Sequence, residues 1–238
     1  MNDLLHRAVA AHGGLERFNQ FKTVSASLVN GGALWSMKGQ AGFLGAHVTV
    51  TVDLHQEHTS LSQLANQRVV FTPQHVAVET NQGAVIVERA NPRAAFADHT
   101  LQTPWDTLDR LYFSGYAMWT YLTVPFSLTW AGFEVAEIEP WQEQDETWRR
   151  LKVQFPPPIA SHSTEQTLYL GDDGLLRRHD YELEIAGNTP AAHYVSAYQD
   201  ASGILLPAKR RVFMRQPDNT PALDTMLISI DLSEIRFA

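Results

Sequence analysis

The sequence predicts a mainly β fold: about a dozen antiparallel strands in a meander that curls into an open or closed barrel, with one apolar helical insertion. Three observations lead there. Alternation of apolar and polar residues returns along most of the chain, with turn residues between the runs. Helices do not alternate with these strands, which argues against a parallel α/β sheet. One segment, 104–122, breaks the alternation and is greasy on every side.

The chain opens with a helix over 3–20. Asn2 can cap it, Asp3 suits its positive end, and Leu4, Leu5, Ala8, Val9 and His12 share one stripe. Gly13-Gly14 interrupts the helix, and Leu15, Phe18 and Phe21 resume the apolar face. His12, placed just before glycine, reads as a terminator. The cleanest strand is His47–His55, with Val48, Val50, Val52 and Leu54 on its dry face and His47, Thr49, Thr51, Asp53 and His55 on its wet one. Further strands are expected at 24–29, 33–38, 68–72, 75–80 and 84–89, with Asn81-Gln82-Gly83 turning a hairpin. After residue 130 the pattern returns at 133–139, 147–155, 165–170, 175–185, 191–199, 204–214 and 225–236. Gly171-Asp172-Asp173-Gly174 and Ala201-Ser202-Gly203 are turns, and Pro156-Pro157-Pro158 is a stiff loop at the barrel rim.

Between the two strand runs, Thr103-Pro104-Trp105-Asp106 reads as a helix start: a capping hydroxyl, proline at the first helical position and an acid three residues after the cap. Leu108, Leu111, Tyr112, Phe113, Tyr116, Met118, Trp119, Tyr121 and Leu122 follow, ended by Pro125. Such a helix must be buried all round, so it plugs or lids the concavity of the sheet. One domain over 1–238 is therefore expected: a helical segment 1–21, first strands 22–90, a helical plug 91–126 and a second strand meander 127–238.

Composition narrows the chemistry. A chain of 238 residues can bury a core without disulfides, and the absence of cysteine excludes thiolate metal sites and a cysteine nucleophile. The formal charge of −8 repels phosphate backbones. Arg149-Arg150-Lys152, Arg177-Arg178 and Lys209-Arg210-Arg211 read as solvated sheet surface, so no nucleic-acid partner is expected. No run approaches the roughly 18 apolar residues of a membrane span. The start, Met1 to Arg7, reads as helix rather than export signal, which gives a cytoplasmic address, or a periplasmic one if a signal has been removed. Phosphate loops, GxGxxG, HExxH and G-x-S-x-G elbows are absent, so no cofactor is expected. In His55-Gln56-Glu57-His58 a strand reading sends His55 and Glu57 outward and His58 the other way, so no metal is expected there.

The richest constellation is the hairpin 175–199. Alternation puts Arg177, His179, Tyr181, Leu183 and Ile185 on one face, and Arg178, Asp180, Glu182 and Glu184 on a solvent face. With residues 186–190 as the loop, His193 joins the inner face near Leu183. His179, Tyr181 and His193 are thus the candidate catalytic residues, because buried imidazoles that titrate near neutral pH can move protons. The candidate ligand contacts are these three together with Trp105, Tyr112, Tyr116, Trp119 and Tyr121, whose polar handles in an apolar helix imply contact with water or ligand, and Arg211, which could meet an anionic head group. Asp106 is explained by helix capping, and the contiguous His162-Ser163-Thr164-Glu165 makes poor triad geometry.

Three stretches carry a family resemblance. They are Ala11-His12-Gly13-Gly14-Leu15-Glu16-Arg17-Phe18, then Tyr169-Leu170-Gly171-Asp172-Asp173-Gly174-Leu175-Leu176-Arg177-Arg178-His179-Asp180-Tyr181, and Tyr198-Gln199-Asp200-Ala201-Ser202-Gly203-Ile204-Leu205-Leu206-Pro207-Ala208-Lys209-Arg210-Arg211. With them the layout resembles the LolA/LolB-like fold of bacterial lipoprotein carriers, and an uncharacterised bacterial group of that type. The resemblance implies an open half-barrel of about eleven strands wrapped around helices that plug a hydrophobic cavity. Two functions follow as expectations. One is binding of a hydrophobic or lipid-like small molecule under the aromatic helix. The alternative is a cofactor-independent acid/base isomerase, cyclase or lyase acting on an apolar molecule in the same pocket.

Overall fold

Thirteen strands form one antiparallel sheet, described here from a computed structural model that covers residues 2–64 and 66–238, with the backbone alone for 63 and 64. Met1 and Ala65 lie outside the described residues. The first run is β1 (Thr23–Gly31), β2 (His47–Asp53), β3 (Thr59–Leu64), β4 (Gln67–Thr72), β5 (His75–Thr80) and β6 (Val85–Ala90). The second is β7 (Glu134–Glu143), β8 (Glu146–Gln154), β9 (Glu165–Leu170), β10 (Leu176–Leu183), β11 (Thr189–Ala201), β12 (Ile204–Arg215) and β13 (Pro221–Phe237). Each run is a meander, and the last strand pairs with the first: the spatial order runs from β6 back to β1, then β13 back to β7. The sheet is therefore unclosed, with β6 and β7 at its two edges although they are successive in the chain.

That topology fixes where the plug goes. The chain leaving β6 must cross the whole sheet to begin β7, and it crosses as helix α4 (Thr107–Thr123) along the inner face. Every residue from Leu108 to Thr123 is buried. Burial of a large apolar side chain stabilises by about 1.5–3 kcal/mol, so a helix apolar on all sides gains most where the sheet curls around it. The start of α4 lies three residues later than the sequence indicates. Asp106, not Thr103, is the cap: it accepts from the Asp109 N–H at 2.8 Å, and Asp109 accepts in return from the Asp106 N–H at 3.1 Å. Thr103 instead accepts from the Thr100 N–H at 2.9 Å, in the turn before the helix. Arg89 of β6 clamps both acids, 2.5 Å from Asp106 and 2.7 Å from Asp109, and ties the edge strand to the plug.

The remaining helices are short: α1 (Asp3–Ala11), α2 (Leu15–Phe18) and α3 (Leu34–Met37). Asn2 caps α1 through the Leu4 and Leu5 N–H groups, and Gly13-Gly14 separates α1 from α2. The expected strand at 33–38 is in fact α3. Gly32, at φ +104°, turns the chain off β1, and one helical turn then buries the adjacent Leu34 and Trp35 together, which an alternating strand could not do. Conversely, β3 is a strand the sequence pattern missed, because Thr59-Ser60-Leu61-Ser62 offers a single apolar residue. Thr59 is buried and donates to the Gly115 carbonyl of α4 at 2.9 Å, filling an inward position with a polar residue. The alternation of His47–Asp53 holds, with Val48, Val50 and Val52 buried.

At the far edge, Val85, Ile86 and Val87 of β6 are about half exposed. On the inner side, α4 approaches β4 so closely that a Cβ on Gly115 would lie 2.3 Å from the Phe71 ring. Gly115→Ala should therefore lower stability by about 1–3 kcal/mol through overpacking, although alanine gains about 1 kcal/mol in helix propensity. Urea unfolding reads this directly, and a stabilised Gly115→Ala would contradict the close approach.

Candidate functional site

Three neighbouring strands present their polar residues to the inner face beside α4. From β10 come His179 and Tyr181, from β11 His193, and from β12 Arg210, which alternates with the buried Ile204, Leu206, Ala208 and Val212. The β10–β11 hairpin pairs Leu183 with Thr189, so its loop lies two residues earlier than expected and His193 stands directly opposite His179 and not near Leu183. Their rings stack with centroids 6.1 Å apart. The loop between β8 and β9 adds His162, and α4 adds Tyr116 and Tyr121.

Tyr116, Tyr121, His162 and Tyr181 are linked by hydrogen bonds, and His179, His193 and Arg210 pack around them. The Tyr121 hydroxyl lies 2.8 Å from His162 Nε2 and 3.3 Å from the Tyr181 hydroxyl, while the Tyr116 hydroxyl is 3.3 Å from His162 Nδ1. His162 stacks on Tyr181 with centroids 3.8 Å apart, and His193 meets the Tyr121 ring edge-on at 4.7 Å. His179 Nε2 is held by the Gln166 side-chain oxygen at 2.6 Å, and Gln166 donates to the Ser163 carbonyl at 2.8 Å. Arg210 donates from Nη2 to the Tyr121 carbonyl at 2.6 Å and lies 4.5 Å above that ring.

Burial sets the charge state here. Desolvation pushes the His179 pKa down to about 3, helped by the nearby Arg210. Burial likewise holds His162 and His193 well below the usual imidazole range and takes His12, at the end of α1, down to about 4. The Tyr121 phenol is raised to about 12, and Tyr116 and Tyr181 are raised well above their usual value. The cluster is neutral at physiological pH apart from Arg210, which burial lowers only to about 10. The expectation that His179 and His193 titrate near neutrality is corrected: a fully buried imidazole gives up its charge.

The other singled-out residues go to separate places. Trp105 precedes α4 and packs against Phe96, Phe113 and Lys38. Tyr112 packs on Phe71 and Phe96. Trp119 donates to the Asp53 and Gln56 carbonyls at 3.0 and 2.9 Å, away from the histidines. All five aromatics are buried, and the Trp105 indole N–H has no hydrogen-bond partner among the described residues. Arg211 faces outward and pairs with Asp231 at 2.6 Å, which corrects its inward reading: the alternation places even-numbered residues of β12 inside. Arg177 sits at the rim with Asp173.

The expected solvent face of β10 is also corrected. Arg178 and Asp180 are buried, with Arg178 donating to both Asp180 oxygens at 2.6 and 2.7 Å beneath Tyr169, Tyr194 and Glu143. Glu57, read as outward, is buried and accepts from the Ala160 N–H at 2.8 Å. No group of three or more potential metal ligands occurs among the described residues. His162, set aside with its contiguous neighbours as poor triad geometry, and Arg210, read as solvated surface, are both buried at the site. An arginine in the apolar register of β12 was the available signal for Arg210.

A separate apolar cavity of about 20 Å³ remains between α4 and β1, β2, β3 and β13. Leu28, Trp35, Phe43, Phe113, Met118 and Ile230 line it, and Tyr121 joins it to the polar cluster.

No protein-family model matches the chain, and no curated protein matches it. Solved structures do. A DUF1329 family protein from Desulfovibrio piger superposes with a TM-score of 0.58 at 10% identity, covering 98% of this chain and 91% of that one. A LolA superfamily protein from Nitrosomonas europaea gives 0.53 at 8% identity, over 99% and 92%. A domain from Vibrio parahaemolyticus described as a putative outer membrane lipoprotein-sorting protein gives 0.45 at 8%, over 99% and 91%. The chain has the LolA-like open-barrel fold, with thirteen strands where about eleven were expected. The cytoplasmic address is withdrawn: the likeness to a LolA superfamily protein does not support it, and neither the fold nor the opening residues decide the compartment.

The charge states give a pH dependence with a definite sign. For His12, His162, His179 and His193 the folded pKa lies below the ordinary 6.5, so the unfolded chain takes up protons that the folded one refuses. Their stability contribution is complete above about pH 6.5 and drains as pH falls toward the folded values, by about 1.4 kcal/mol per pH unit per histidine. Denaturant unfolding at pH 7, 6 and 5 should show this slope, and His193→Phe should remove one proton's share of it. A flat profile would mean that the rings are not buried.

Proposed function

We propose that this chain binds an apolar, lipid-like small molecule between α4 and the concave face of the sheet. The observation that carries the reading is the apolar cavity at that seam, about 20 Å³ and lined by Leu28, Trp35, Phe43, Phe113, Met118 and Ile230. Space of this size and lining suits no more than one water and is apolar enough to stay dry. An acyl or similar chain enters by pushing α4 outward, so that the helix acts as a plug that the ligand displaces. The LolA-like fold supports the same reading, since LolA-like proteins wrap a sheet around helices in this way. No helix among the described residues is long and apolar enough to cross a membrane. Acid–base catalysis at His179, Tyr181 and His193 gains no support from the site, whose imidazoles and phenols are all held neutral by burial.

The test is a titration with the apolar fluorophore 1-N-phenylnaphthylamine. Wild-type protein should enhance its emission in a saturable way, and oleyl alcohol should displace it. Ala117 lines the cavity from α4, so Ala117→Leu should fill the space and weaken binding about tenfold, equivalent to about 1.4 kcal/mol, while circular dichroism stays unchanged. Absence of saturable binding in the wild type would remove this function.

A further inference from the structure

The core contains a cation that no carboxylate pairs with among the described residues. In Lys209-Arg210-Arg211 the outer two side chains behave as surface residues: Lys209 is exposed and Arg211 pairs with Asp231. Arg210 points inward and is 2% exposed. It reaches one backbone carbonyl, that of Tyr121, and one ring face, while its Nε has no partner among the described residues. The groups acting on its charge are Tyr121, Tyr198 and Tyr181, and no carboxylate is among them. Arg178, the other fully buried arginine, shows what this sequence does when the guanidinium is structural: it supplies Asp180 at 2.6 Å and Glu143 at 3.4 Å.

Across from Arg210, His193 is fully buried with neither ring nitrogen bonded among the described residues. The two are diagonal neighbours on the inner face, since Arg210 pairs with Val195 and His193 with Val212. A buried charge without a partner and an unsatisfied buried polar group both work against the fold. Both costs fall if an acceptor with negative charge arrives. Tyr121 connects the two regions: its ring lies under Arg210, and the same residue lines the apolar cavity.

We propose that Arg210, assisted by His193, receives the anionic head, a carboxylate or phosphate, of an amphiphile whose hydrocarbon chain occupies the cavity beneath α4. The site rests on the binding reading above and narrows it to anionic amphiphiles. Arg210 meets the head with the planar fork that suits either oxyanion, and His193 contributes one ring N–H.

Oleate, oleyl phosphate and uncharged oleyl alcohol, each below its micelle concentration, are competed against 1-N-phenylnaphthylamine on wild-type protein and on Arg210→Met. At least one anion should bind about tenfold or more tightly than the alcohol, the range of a charge-assisted hydrogen bond, and which anion does so identifies the head group. In Arg210→Met the gap should close while alcohol affinity holds, and the ligand-free variant should be as stable as the wild type or more so. Alcohol binding as tight as both anions overturns the anion site and leaves apolar binding standing, as does a gap that survives Arg210→Met. If no probe binds, apolar binding fails and this site with it. Should Arg210→Met not fold, His193→Phe supplies the same comparison: a gap at least threefold narrower supports the site, and an unchanged gap overturns it.

Discussion

One connection governs this structure: the path from β6 to β7. Those strands are consecutive in the chain and stand at opposite edges of a thirteen-stranded sheet, so the residues between them must traverse the concave side. A polar loop could not lie there without stranding its backbone groups away from water. A helix satisfies its own backbone, and α4 carries apolar side chains around its full circumference, so the crossing element doubles as the core. Its cap, its clamp by Arg89 and its contact with Phe71 at Gly115 all serve to hold that one element in place.

The two walls around α4 differ in kind. Toward β2 to β5 the contact is shape: Phe71 against Gly115, with Thr59 on the Gly115 carbonyl. Toward β10 to β12 it is polar, with Tyr116, Tyr121, His162, Tyr181 and Arg210 linked in a network whose imidazoles are uncharged. The first wall admits no extra atom at Gly115 and bonds the helix through backbone carbonyls, whereas the second bonds it largely side chain to side chain.

Much of the architecture was legible in the residues, for reasons that differ element by element. Alternation exposed β2, because a strand with one dry face writes its period directly into Val48, Val50 and Val52. The greasy run at 104–122 announced its burial, because no other environment tolerates it. The failures have physical causes too. β3 was hidden because Thr59 uses a hydroxyl to satisfy a helix carbonyl, giving an inward position a polar residue. The Arg178–Asp180 pair looked solvated because adjacent charges usually are, and only the third dimension brings Tyr169, Tyr194 and Glu143 over it. The hairpin 175–199 was rightly paired, yet its loop lies two residues earlier than the pattern suggests, which sets His193 opposite His179 and not near Leu183. Arg210 and Arg211 show how much rests on register, since a shift of one residue exchanges a surface ion pair for a cation in the core.

An unclosed sheet also has two lips, each a row of backbone groups with nothing to zip onto. The β7 lip is guarded: the exposed Glu134 and Glu139 lie along it, and Pro140 removes a donor from the row. The β6 lip has Glu88 and Arg89 near its end but begins with Val85, Ile86 and Val87 in the open. Such a margin templates further strand addition unless charge or cover blunts it. The two margins of the sheet are thus unequal, with three aliphatic residues in the open on one of them alone.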